Sequence, residues 1–346
     1  MKEDVEHWRN YRQLAASRHT THYLSRAEEF QRPTPMDYDA LEHLRVNVLA
    51  AVERAYQMKQ WSHLLRFARV LTNDGAHGFL LVRGYWKELR IVLERAIQSS
   101  KAEGNNYDTA TFFHDLALLE ENTGKYDDAR CFYQQSLDLK EVLGDLPGIA
   151  RTLHQLGIVA HYVGNYDEAQ SLYERSLKIV ESSNDQQGIA YTLHQLGVLE
   201  HVRGNYAQAE DFYQQSLKLK KALDDDAGVA NTLFQLGMLA EDKDDYEEAI
   251  QLCQESLDIS KALGDQVNIA TTLHQLGIIA HFRGEYTEAQ RFYQQSLEIA
   301  KDLGDLQGLA STLHQQAMLA VDTTPSRVVC KEEAFQRGAI EMIIQA

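Results

Sequence analysis

The chain has 346 residues, 44% of them hydrophobic, with 34 Lys plus Arg set against 51 Asp plus Glu and a formal net charge of -17. Such a length holds two or three ordinary domains or one long repeat array. The acidic balance argues against a nucleic-acid backbone, which is gripped by clustered Lys and Arg that release counterions, and against an anionic membrane surface.

The N-terminus, "MKEDVEHWRNYRQ", is charged throughout and has no apolar leader core, and no run of apolar residues is long enough to span a membrane. Cys131, Cys253 and Cys330 lie far apart and form no CxxC pair, so no disulfide framework is expected and a reducing cytoplasm is the natural setting. Residues 1–104 read as a degenerate helical segment. "LEHLRVNVLAAVERAYQMKQWSHLLRFARVL" predicts a helix, a turn near Lys59-Gln60-Trp61 and a second helix. "RGYWKELRIVLERAIQSS" follows, and a shift of 40 lays Gly84 over Gly124 and Trp86 over Tyr126.

From residue 105 to 320 the chain repeats itself every 40 positions. "TLHQLG" stands at 152–157, 192–197 and 272–277, and "TLFQLG" at 232–237. Each copy predicts two helices. The first carries apolar residues such as Leu153, Leu156, Ile158 and Ala160 at helical spacing, and Gly164 stops it. The second opens on Tyr126, Tyr166, Tyr206, Tyr246 or Tyr286. A Leu-Gly-Asp run closes several copies, the glycine suited to a left-handed cap and the aspartate to the N-cap of the next helix.

Small residues recur in columns, among them Gly157, Gly197, Gly237 and Gly277. A mid-helix glycine costs about 1 kcal/mol against alanine, so close approach of another helix is the expected compensation. One hairpin cannot cover its own apolar face, and neighbours must stack.

These residues resemble the tetratricopeptide repeat: leucine then glycine in the first helix, Gly-x-Tyr at the turn, then alanine, an aromatic and a small residue in the second. The closing proline usual to that repeat is absent, and 40 residues replace the usual number of about 34. The longer form is similar to repeats of cell-polarity adaptors, kinesin light chains and many bacterial regulatory proteins. The resemblance implies an all-α, right-handed superhelical solenoid of stacked antiparallel hairpins. Residues 105–320 would form five regular hairpins plus the first helix of a sixth. The spaced leucines, Asn47 and the RGYW turn of the N-terminal segment are similar to the helical sensor arm of bacterial STAND proteins, signal-transduction ATPases with numerous domains. The chain holds no GxxxxGK[ST] loop, so it would be the arm without the ATPase. Residues 321–346 include the breaker Pro325 and "KEEAFQRGAIEMIIQA", read as a capping helix or as a truncated repeat.

No HExxH, GxSxG, Rossmann or EF-hand pattern is present, so an enzyme and a cofactor are not expected. Two histidine columns are the candidate chemistry. His114, His154, His194 and His274 form one, continued by His314, with Phe234 substituting once; His161, His201 and His281 form the other, with Glu121 and Glu241 substituting. Zinc needs converging nitrogens at about 2.0–2.1 Å. Histidines seven apart are separated by about 10.5 Å of helix rise, and neighbouring copies by about 8–10 Å, so metal is not expected. Two uses remain: structural bonds to Gln or backbone in the next copy, or contact with a ligand.

The resemblance places this face of the first helices along a concave groove. In kinesin light chain repeats asparagines at this pair of places hold a peptide backbone; here the pair reads His-Gln. The expected groove is thus His114, His154, Gln155, Ile158, His161, His194, Gln195, Val198, His201, Phe234, Gln235, Met238, His274, Gln275, Ile278 and His281. Glutamines would hold a partner backbone, apolar residues would add contact, and histidines would read polar or acidic side chains. The expected function is a non-enzymatic, cytoplasmic scaffold for a partner peptide or helix. Self-association through the array ends is open, and the alternative is a STAND-type sensor arm. Cys253, where other copies have tyrosine, reads as a buried filler.

Overall fold

The computed structural model describes residues 2–30, 35–72 and 79–323, and the side chains within 14–30, 39–72 and 79–323. Pro325 and the expected C-terminal helix lie outside the described residues. All described secondary structure is helical. Two compact units divide at Val180 and Glu181.

The first unit holds α1 (Lys2–Glu28), α2 (Pro35–Gln57), α3 (Trp61–Thr72), α4 (Phe79–Val82), α5 (Trp86–Glu103), α6 (Asn106–Asn122), α7 (Tyr126–Leu143), α8 (Leu146–Tyr162) and α9 (Tyr166–Ser182). The turn expected near Lys59 is there, with Lys59 at φ 54 between α2 and α3. Gly84 and Gly124, aligned by the shift of 40, both sit at φ 73 and precede the helices begun by Trp86 and Tyr126. Leu24, Leu41, Val48, Phe67, Phe79, Leu93 and Phe112 fill one buried core across α1 to α6. The N-terminal segment is therefore irregular in sequence but continuous in its packing with the start of the repeats.

The second unit holds α10 (Gln186–Val202), α11 (Tyr206–Ala222), α12 (Asp226–Asp242), α13 (Tyr246–Leu263), α14 (Gln266–Phe282), α15 (Tyr286–Leu303) and α16 (Leu306–Thr323). Each helix packs on the next, and α10, α12, α14 and α16 also meet in sequence as a row of first helices. α16 is the first helix of the expected sixth hairpin.

Local chemistry sets the ends. Gly264 and Gly304 take φ 71 and φ 69 just past α13 and α15. Asn184 and Asp224 hold the same corner at φ 53, which short polar side chains tolerate. The aspartates that follow cap the next helices: Asp185, Asp225 and Asp265 accept from the backbone N–H three residues on, at 3.0, 2.9 and 3.1 Å.

The mid-helix glycines do what their period implied. A Cβ on Gly197 would lie 2.6 Å from the Tyr213 ring, and one on Gly277 would lie 2.5 Å from Tyr293. Those rings are fully buried. A second tie runs across each hairpin: Ser216, Ser256 and Ser296 donate to the carbonyls of Ala190, Ala230 and Ala270 at 2.7, 2.8 and 2.8 Å. In the first unit Ser136 and Ser176 do the same to Ala110 and Ala150, at 2.7 and 2.8 Å. A buried hydroxyl that finds a carbonyl escapes its desolvation penalty and joins the two helices of one repeat.

Candidate functional site

The expected groove residues occupy one register on each first helix. In the second unit His194, Gln195, Val198 and His201 lie half-buried on α10; Phe234, Gln235 and Met238 on α12; and His274, Ile278 and His281 on α14, where Gln275 is buried. In the first unit His154, Gln155, Ile158 and His161 lie half-buried on α8, and His114 is buried on α6. On α8, α10 and α14 the stripe therefore offers an apolar residue one turn beyond a His-Gln pair, and on α12 Phe234 replaces the histidine of that pair.

The first histidine column is tied to threonines of the following hairpin. His114 Nδ1 lies 3.3 Å from Thr152 Oγ1, His194 Nδ1 3.2 Å from Thr232 Oγ1, and His274 Nδ1 2.9 Å from Thr312 Oγ1. Thr152 and Thr232 already donate their single hydroxyl proton to the carbonyls of Gly148 and Gly228, at 2.8 and 2.9 Å. His114 and His194 then carry the proton on Nδ1 and donate it. The rings of His154, His194 and His274 also lean on Tyr173, Tyr213 and Tyr293, with centroids 5.7, 5.7 and 6.0 Å apart. Burial holds His114 well below the usual imidazole range, and it lowers His274. For His114, His194 and His274 the partner is a threonine of the next copy, where the sequence suggested glutamine or backbone, while the rings of His194 and His274 pack on a tyrosine of their own hairpin.

Two members of the second column bond forward to aspartate, and His161 has Val202 at the corresponding place. His201 Nε2 lies 2.7 Å from Asp242 Oδ2, and His281 Nε2 lies 2.8 Å from Asp322 Oδ2. Burial lowers the pKa of His161. Where glutamate substitutes, it is partly desolvated too. Glu121 accepts from the Tyr133 hydroxyl at 2.7 Å, yet burial raises its pKa. Glu241 accepts from Gln275 and is pushed up to about 7 by burial, with Asp242 adding to the effect.

Sequence reasoning missed two buried lysines. Lys140 Nζ donates to Thr152 Oγ1 at 2.9 Å, and Lys220 Nζ to Thr232 Oγ1 at 3.0 Å. Lys220 also lies 5.1 Å from the Tyr191 ring centre. Burial brings both ammonium groups down to about 8. The threonine column, Thr152 to Thr312 at intervals of 40, was a signal available in the sequence. Cys253 is a free, fully buried thiol that burial pushes up to about 12. Among the described residues, no group of three His, Cys, Asp or Glu could hold a metal, and no helix is long and apolar enough to cross a membrane.

The helical hairpins, their period and their glycine-aromatic packing define a repeat protein of the tetratricopeptide class. Family models described as tetratricopeptide repeat match residues 148–222 and 228–302, and a further one matches 109–145. The chain belongs to the tetratricopeptide repeat family. No curated protein sequence matches it. Among solved structures, the apo quorum sensor NprR from B. thuringiensis is similar at TM-score 0.68 and 17% identity, over 99% of this chain and 94% of that one. RapI in its apo form gives 0.62 and 15%, over 82% and 98%. The STAND protein PH0952 from Pyrococcus horikoshii, which carries a tetratricopeptide repeat sensor, gives 0.61 and 16%, over 85% of this chain and 46% of that one.

Proposed function

We propose that the chain is a non-enzymatic scaffold whose first-helix face, within residues 105–320, takes a peptide or helix from a partner protein. The carrying observation is the repeated half-buried stripe of the second unit, which pairs Gln195 with Val198 and Gln235 with Met238 at one register of successive helices. Main-chain groups of an extended partner suit the amide side chains, and the apolar residues beside them supply contact area. Similar structures support the reading: one is a quorum sensor, and another is a Rap conjugation gene regulator solved in complex with the Phr* peptide. The histidines contribute chiefly by fixing the stripe, since His194 and His274 are held by threonine and tyrosine.

Likeness to the sensor-bearing STAND protein supports a second reading, in which the same face belongs to a sensor arm working with an ATPase. Cross-linking in the native host followed by mass spectrometry would recover the partner, and calorimetry would measure its affinity. Met238→Glu is expected to weaken binding by about tenfold or more while the melting temperature stays unchanged. Undiminished affinity in that variant would reject the face. Recovery of an ATPase would select the second reading.

A further inference from the structure

The last complete hairpin departs from two earlier ones at a buried position near the end of its second helix. Lys140 and Lys220 sit near the ends of α7 and α11; the counterpart on α15 is Ala300, 1% exposed. Around each lysine stands the same shell. The ammonium donates to the threonine of the next first helix, at 2.9 and 3.0 Å. The stem crosses a glycine, so that a Cβ on Gly148 or Gly228 would lie 3.0 or 2.9 Å from the lysine Cδ. The capping Asp145 and Asp225 supply the nearby negative charge.

Every other member of that shell survives around Ala300. Thr312 is buried and keeps the histidine contact at 2.9 Å. Ser296 keeps its bond to Ala270, and Gly308 keeps its bond to the capping Asp305, at 2.8 and 3.0 Å. A Cβ on Gly308 would meet only the Asp305 carboxylate. Where the two lysines run in their hairpins, this one has a cavity of about 260 Å³, lined by His274, Ser296, Ala300, Asp305, Gly308 and Thr312. Thr271, Gln307 and Ser311, all exposed, form its mouth. The chain thus shows twice what this shell accepts.

We propose that the cavity beside Ala300 binds a primary alkylammonium group, its nitrogen donating to Thr312 Oγ1 as Lys220 Nζ does to Thr232, with its stem passing over Gly308. Asp305 is the one carboxylate of the lining, and the exposed mouth leaves an ammonium there in contact with water that the buried Lys140 and Lys220 lack. A lysine side chain of a partner and a free amine share this chemistry. The proposal does not depend on what binds the first-helix face.

The test uses the full chain, following the amide resonances of Gly308 and Thr312 as n-butylammonium chloride is added at neutral pH. Saturating shifts are expected, with none from tetramethylammonium, which cannot donate. Ala300→Lys should abolish them by placing a tethered ammonium in the cavity. Thr312→Val, which keeps the shape and loses the acceptor, should weaken binding by about tenfold. A capped Gly-Lys-Gly peptide run in parallel assigns the source: saturation at a concentration about tenfold below the amine identifies a partner lysine, and equal or weaker binding identifies a free amine. Shifts that never saturate, or that persist in both variants, overturn the site.

Discussion

Two neighbouring hairpins of the second unit differ at three touching places. In α10–α11 the first helix carries His194 and His201 and the second carries Tyr213, fully buried; in α12–α13 the same places hold Phe234, Glu241 and Cys253. The His194 ring leans on Tyr213, and Gly197 makes room for that ring. When the tyrosine becomes a cysteine, the glycine stays, with Gly237 now facing the Cys253 sulfur at 2.6 Å from its would-be Cβ. The glycine column is therefore held by the approach of the second helix, whatever side chain that helix carries. The histidine column is tied to the tyrosine, and both change together.

The largest expected effect breaks this pairing. Tyr213→Cys removes a fully buried ring and should cost about 3–5 kcal/mol, as large-to-small core changes do. If the trio is a unit, adding His194→Phe should recover part of the loss, with a coupling of about 1–2 kcal/mol in a double-mutant cycle. Urea midpoints measured at constant m-value give the cycle. A coupling near zero would mean that the two hairpins diverged residue by residue.

How much of this was legible follows from where each bond runs. Helices, caps and glycine packing act within one copy, and each copy repeats them, so Gly157 to Gly277 and Asp145 to Asp265 could be read directly. The face carrying His154, Gln155 and Ile158 was legible for the same reason. The partners of the histidines were hidden because the bonds run forward by 38 or 41 residues into the next copy, as from His194 to Thr232 and from His201 to Asp242. A helix face considered by itself does not show them. The lysines were hidden by irregularity: the column reads Lys140, Val180, Lys220, Ser260 and Ala300, with no fixed residue to attract notice. Only packing reveals that Lys220 is buried and that Ala300 leaves its shell behind.

A second, smaller effect sharpens the contrast between Lys220 in α11 and Ser260 in α13. Lys220 is 2% exposed and is brought down to about 8 from an ordinary 10.5. The folded state thus binds its proton less tightly than the unfolded chain does. Below pH 8 the desolvation penalty is fully present, and it is relieved as pH rises from about 8 towards 10.5. Lys220→Met keeps the stem and drops the charge. At pH 7 it should stabilise the fold by about 2 kcal/mol, after subtracting the lost bond to Thr232. The advantage should narrow by pH 9.5 in parallel urea titrations of variant and parent. A gain that stays constant with pH would show that the ammonium is not desolvated.

The smallest expected effect concerns Glu241, the member of the trio that titrates. Its carboxyl is pushed up to about 7 from 4.5, by burial first and then by Asp242, which itself faces His201 at 2.7 Å. The folded state therefore holds the proton more tightly than the unfolded chain does. That stability is complete below pH 4.5 and is lost as pH rises through about 7. Glu241→Gln should match the parent near pH 5 and exceed it at pH 8 by roughly 1 kcal/mol, with allowance for solvent at a half-buried group. Glu121 is the control: it accepts from Tyr133 at 2.7 Å, as Glu241 accepts from Gln275, but it has Asn122 where Glu241 has Asp242 beside it, so Glu121→Gln should show a smaller gain over the same pH range. Equal gains at both positions would mean that Asp242 adds nothing to the protonation of Glu241, and that burial alone sets it.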